Sequence, residues 1–378
     1  MLEGVPEVSR AFLPRDVLQR LLDALTGGDF LCIGPRLKEG VIVYEPLADT
    51  ATLPQGVHDR QAPGEYRTEQ VSSPRQFAWA NGPQALKPFL FAPREALWRV
   101  VRDAEGRLTF REVQPDIKPI AVIGARACDL AALALQDSHF LAGAYPDPTY
   151  AARRENLFIV AVHCSHPAAT CFCVSTGDGP RATHGFDIAL SELDDGFVAE
   201  AGSVRGKVLL DALGCSTAAA EQIAQAEDEI AHAARSQSRR LPGRNLRDAL
   251  FANLEHPRWE EVAERCLSCG NCTSVCPTCF CSSTSASASE QPSLDASHAE
   301  HSREWDSCFT RGHSYIHGAV VRSDTRTRYR QWLTHKLGSW HEQYGRSGCV
   351  GCGRCVTWCP TGIDITEETT AICGEAML

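Results

Sequence analysis

The sequence predicts an α+β protein, with an N-terminal mixed α/β domain over residues 1–240 followed by an α-helical ferredoxin domain over residues 241–378 that holds two [4Fe-4S] clusters. Three observations carry this. Apolar strand-like runs alternate with helical spacings up to about residue 215. The spacing then turns helical and breaks at residues 237–245, where Pro242 and Gly243 do not fit inside a helix. Finally, the last third contains two copies of Cys-x2-Cys-x2-Cys-x3-Cys-Pro, about seventy residues apart.

The first domain opens with Val17, Leu18, Leu21, Leu22 and Leu25 at helical spacing, ended by Gly27 and Gly28. A short apolar run at 41–44 reads as a strand, and runs at 97–101 and 108–113 flank the turn residues 103–106 as a hairpin. Residues 119–124 read as a buried strand feeding a helix over 129–141, with a second buried strand at 157–162, which is the order of a crossover unit. Short strands are predicted at 186–190, 197–201 and 208–210, so the sheet is expected to be mixed. In the second domain, residues 282–302 are rich in Ser and Ala and read as an exposed loop, and helices are expected near 312–321 and 329–344.

Composition narrows the function classes. Of 378 residues, 43 % are hydrophobic and 22 % charged, which is ordinary, whereas 18 cysteines are far above the usual share. The chain is too large for a disulfide-stapled scaffold, and residues 1–7 show no basic stretch leading into an apolar one, so a cytoplasmic protein is expected. The most apolar stretch, 119–136, is interrupted by Arg126 and Asp129, so no membrane span is predicted. A formal net charge of -10 repels a phosphate backbone and argues against nucleic acid as a partner. The basic residues 235–244 read as a solvated hinge.

The cysteine motifs are Cys266, Cys269, Cys272 and Cys276 before Pro277, and Cys349, Cys352, Cys355 and Cys359 before Pro360. Three thiolates at this spacing can wrap one face of a cubane, while Gly270, Gly351 and Gly353 allow positive φ and close backbone approach. Where two such motifs pair, the fourth cysteine of each ligates the other cluster. One cluster is therefore assigned Cys266, Cys269, Cys272 and Cys359, and the other Cys349, Cys352, Cys355 and Cys276. Zinc has no need of two proline-terminated four-cysteine repeats, and the cytosol disfavours disulfides. Complete thiolate ligation leaves no open iron for substrate, so outer-sphere electron transfer is the expected task. No catalytic residue is assigned, and the chain reads as a non-catalytic subunit.

Other cysteines stay open. Cys279, Cys281 and Cys308 could bind another metal or pack as buried thiols around the first cluster. Cys128, Cys164, Cys171 and Cys173 follow two predicted strands, where they could hold a third cluster or again pack as thiols. His313 and His317, four apart on a predicted helix, read as a surface pair or a metal pair. Dinucleotide, nucleoside triphosphate and serine-hydrolase fingerprints are absent.

The second motif, from Gly351 through Cys352, Arg354, Cys355, Cys359 and Pro360 to Glu368, resembles the beta subunit of cytoplasmic sulfhydrogenases, the iron-sulfur subunit of NAD(P)-linked [NiFe] hydrogenases. The resemblance extends to Cys266–Cys281, Arg303–Cys308, Ala125–Asp129, and Thr170–Cys173 through Gly179 and Pro180. It departs mainly in the Ser/Ala insertion. The electron-transfer subunit of anaerobic sulfite reductase carries similar motifs. What the resemblance implies is a heterotetramer: a flavin subunit exchanges hydride with NAD(P)H, this chain relays single electrons, and the small and large [NiFe] hydrogenase subunits interconvert protons and hydrogen. The competing readings are a redox-responsive scaffold whose clusters only hold the fold together, and a sulfite reductase subunit.

Overall fold

A computed structural model describes residues 10–84, 86–103, 105–113, 115, 117–288 and 298–374. Its centre is an eight-stranded mixed sheet in the order Ser216–Thr217, Ala11–Pro14, Gly196–Ala201, Ile188–Glu192, Leu157–Val162, Ile120–Ala125, Leu31–Lys38 and Val41–Pro46. The four strands from Ile188–Glu192 to Leu31–Lys38 run parallel, and the outer pairings are antiparallel.

Alternation along the parallel strands feeds two cores. Ala121, Ile123, Phe158 and Val160 join Val17, Leu18, Leu21, Leu22 and Leu25 of the helix Val17–Gly27. Val122, Leu157, Ile159 and Ala161 face the other way, onto Ala127, Leu130 and Leu133 of the helix Ala127–Phe140. A sheet covered on both faces buries every residue of Leu157–Val162, which is why that strand reads as a continuous apolar run. The predicted crossover is present, with Ile120–Ala125 and Leu157–Val162 in parallel register.

Four local expectations are corrected. Residues 208–210 lie inside the helix Val204–Leu213, whose N-cap Ser203 Oγ accepts from Gly206 N at 3.0 Å. Gly206, in the first turn of this helix, is a packing contact, since a Cβ there would lie 1.8 Å from Asp187 O. Gly206→Ala should gain about 1 kcal/mol of helix propensity. Overpacking costs about 1–3 kcal/mol, so a lower thermal midpoint is expected in a melting experiment.

The Ser/Ala stretch is not a loop. Strands Ser282–Ala288 and His298–Trp305 pair antiparallel and extend the hairpin Arg94–Arg102/Leu108–Glu112 into a four-stranded sheet; residues 289–297 lie outside the described residues. Ladder hydrogen bonds supply the order that small side chains lack, helped by Trp98 stacked on His301 at 4.6 Å. Residues 312–321 form a 3-10 turn and a tiny hairpin, Tyr315–Ile316 with Ala319–Val320, turned by His317 and Gly318 at positive φ. His317 is therefore not on a helix with His313.

The helix expected over 329–344 is present as Thr325–Thr334 and Trp340–Tyr344, joined by a π-helical turn, His335–Ser339, that buries Lys336. The arginines of 235–244 are not a purely solvated hinge. Arg239 pairs at 2.6 Å with the buried carboxylate of Asp364 and also donates to Ala169 O. Among the described residues, no helix is long and apolar enough to cross a membrane.

Candidate metal centres

The two cysteine motifs fold as structural repeats. In the first, Ser268 N donates to Cys266 Sγ at 3.4 Å; in the second, Gly351 N donates to Cys349 Sγ at the same 3.4 Å. Ser268 and Gly351 occupy matching left-handed positions, φ 51° and 62°. Two residues on, Gly270 and Gly353 (φ 78° and 74°) open the one-turn helices Asn271–Ser274 and Arg354–Thr357. Each loop thus turns its first three thiols inward before the chain leaves toward the fourth.

One cavity is lined by Cys266, Cys269, Cys272 and Cys359, with Phe309, Tyr329 and Trp332 as apolar walls. The fourth thiol comes from the other motif. Burial, and then the thiolates of Cys266, Cys359 and Cys269, push the Cys272 thiol well above its ordinary pKa. Around Cys355 the same crossing recurs: burial and then Cys349, Cys352 and Cys276 push it up. Crowded, dry thiols hold their protons until a cation at their centre offsets the repulsion, which is the behaviour of a metal-cluster site. Both quartets therefore fit the group.

Lys336 supplies charge to the second quartet. Its Nζ lies 3.4 Å from Cys276 Sγ and donates to Thr278 Oγ1 at 2.8 Å. Burial opposes the ammonium, but the thiolates of Cys276, Cys279 and Cys349 outweigh it and raise its pKa. Cys355 also lines the first cavity, so the two centres abut.

The second motif is locked onto the first domain. Arg354 pairs with Asp129 at 2.8 Å, with both side chains buried, and its Nε donates to Gly82 O at 3.0 Å. A Cβ on Gly351 would lie 2.5 Å from the Cys173 backbone, and one on Gly353 would lie 2.5 Å from Thr170 O. These glycines thus admit a protein loop, in addition to allowing positive φ. A hairpin that the sequence did not reveal, Val57–Ala62 with Glu65–Gln70, places its tip there too, with Gly64 N donating to Val356 O at 3.1 Å. Arg126 and Asp129 had one legible signal, charge inside the most apolar stretch; Lys336 had none.

The remaining cysteines fall into separate groups. Cys128, Cys164, Cys171 and Cys173 line one cavity. Cys281, Cys308 and His313 have ligand atoms within 4.8 Å of one another, and His313 Nδ1 stands 3.5 Å from Asp306 Oδ2. The neighbouring Cys279 side chain lowers the Cys276 pKa. It lies beside Cys276 of the second quartet and also lines a pocket with Cys269 of the first.

A family model described as a 4Fe-4S dicluster domain matches residues 265–363, the span containing both motifs. Across the whole fold, the chain is 32 % identical over 336 residues to sulfhydrogenase 2 subunit beta of Pyrococcus furiosus, covering 87 % of this chain and 91 % of that protein. An α/β body continued by a 4Fe-4S dicluster domain, matched along nearly its whole length, places this chain in the family of sulfhydrogenase beta subunits, the iron-sulfur subunits of hydrogenases.

Proposed function

We propose that this chain is the electron-transfer component of a soluble hydrogenase complex, its two [4Fe-4S] clusters linking the small and large subunits of a [NiFe] hydrogenase to an NAD(P)H-oxidising flavin subunit. The observation that carries this reading is the pair of crossed thiol quartets abutting at Cys355. Clusters bound there would supply one-electron carriers with no open iron site.

The ligands are Cys266, Cys269, Cys272 and Cys359 for one centre, and Cys349, Cys352, Cys355 and Cys276 for the other. In this reading Phe309, Tyr329 and Trp332 keep water from the first centre, while the Lys336 ammonium offsets negative charge at the second. The helices Arg258–Arg265, Thr325–Thr334 and Ile365–Cys373 form the frame of an α-helical ferredoxin domain, and its boundary with the α/β domain near residue 240 is crossed by the strands Ser282–Ala288 and His298–Trp305. The assembly is a cytoplasmic heterotetramer without a membrane or nucleic-acid partner.

Cys352→Ser in the purified complex is expected to remove about four irons per chain, one cluster's worth. Electron transfer from NAD(P)H to the hydrogenase should be abolished, while hydrogen oxidation with an artificial dye persists. Unchanged NAD(P)H coupling with a cluster missing would refute the relay.

A further inference from the structure

We propose that Cys128, Cys164, Cys171 and Cys173 ligate a third [4Fe-4S] cluster, placed in electronic contact with the second through Cys352. Cys128 follows the parallel strand Ile120–Ala125 and the other three follow its parallel neighbour Leu157–Val162. Loops beyond the carboxyl ends of adjacent parallel strands are where open α/β sheets build ligand sites. The four side chains converge on one cavity, together with Cys352.

Spacing argues against a single ion. Zinc at about 2.3 Å from each thiolate would bring the sulfurs to about 3.8 Å from one another. Among the described residues, the only three or more ligand atoms within 4.8 Å of one another are those of Cys281, Cys308 and His313. The quartet is wider than that, as are both motif quartets, and this suits a cubane. Its cavity resembles that of the first motif centre in being walled by cysteines and apolar atoms.

The surroundings supply what an anionic cluster needs. Arg126, only 2 % exposed, lines the cavity and donates to the carbonyls of Phe77, Trp79 and His163. Its guanidinium lies over the Trp79 ring at 4.4 Å, and its buried Nε has no hydrogen-bond partner among the described residues. A buried cation lining the cavity favours negative charge held there. Asn81 Nδ2 and Gln237 Nε2 each stand 3.2 Å from a cysteine sulfur, Cys128 and Cys173 respectively, as donors that orient and tune cluster ligands do.

The consequence is an order of carriers. Cys355 joins the first centre to the second, and Cys352 joins the second to the third. Cys269 is exposed at one end, Cys164 and Cys171 are half-buried at the other, and Cys349 is buried between. An electron passing along this line oxidises one carrier by one electron and reduces the next by one, with no bond or proton moved. The relay role rests on the proposed function; the existence of the site does not.

The test is iron analysis and electron paramagnetic resonance on the full chain purified without oxygen. About twelve irons per chain are expected, falling to about eight in Cys164→Ser/Cys171→Ser. The magnetic interaction between reduced neighbours should weaken in that variant while the signals of the other two clusters remain. About eight irons in the unaltered chain, or zinc at this site, would overturn the proposal whether or not the variant folds. Eight irons with NAD(P)H coupling intact would sink the third cluster alone and leave the relay standing.

Discussion

Replacing Gly351 with alanine is expected to destabilise the protein by about 2–5 kcal/mol, summing a left-handed residue at about 1–2 and overpacking at about 1–3. The new methyl would lie 2.5 Å from backbone atoms of Phe172 and Cys173, where no side-chain rotation relieves the contact. Phe172 N donates to Gly351 O at 2.8 Å, so a forced shift breaks a backbone hydrogen bond as well. Ser268 is the internal control. It occupies the matching turn of the first motif at φ 51° with a side chain already in place, so Ser268→Gly should change stability by under about 1 kcal/mol. Thermal unfolding of the iron-loaded proteins checks the contrast, and equal effects at the two positions would show that the Cys173 loop is not what Gly351 accommodates.

Arg354→Met is expected to cost about 3–5 kcal/mol, because it leaves the Asp129 carboxylate buried without its cation. Arg354 also donates to the carbonyls of Gly82 and Gln84, so two segments of the first domain lose a shared partner. Adding Asp129→Asn should recover part of the loss, since the amide removes the stranded charge. Denaturant unfolding under anaerobic conditions measures both variants, and no recovery in the double variant would place the cost in the carbonyl contacts instead of the ion pair.

These effects sit at contacts the sequence does not display. The cysteine spacing displays the two motifs because cluster ligation imposes a local, fixed geometry, and the parallel strands are legible because burial on both faces demands unbroken apolar runs. Gly351 is legible as a glycine needing positive φ, but not as the seat of Cys173, which lies far away in sequence. Residues 282–288 carry too little apolar surface to announce a strand, and their order comes from pairing with His298–Trp305, which itself pairs with a hairpin about two hundred residues earlier. The role of Gly206 is hidden for a related reason: a tertiary contact with Asp187 selects it. Lys336 is hidden because a π-helical turn rotates it inward, and no side-chain period forecasts that turn.

The central claim is that each motif completes the other's centre, and magnetic resonance of single-cysteine variants tests it most directly. Cys276→Ser should perturb the same cluster signal as Cys352→Ser, and Cys359→Ser the same signal as Cys269→Ser. If Cys276→Ser instead perturbs the signal that Cys269→Ser removes, each motif closes on its own cluster and the crossed arrangement is contradicted.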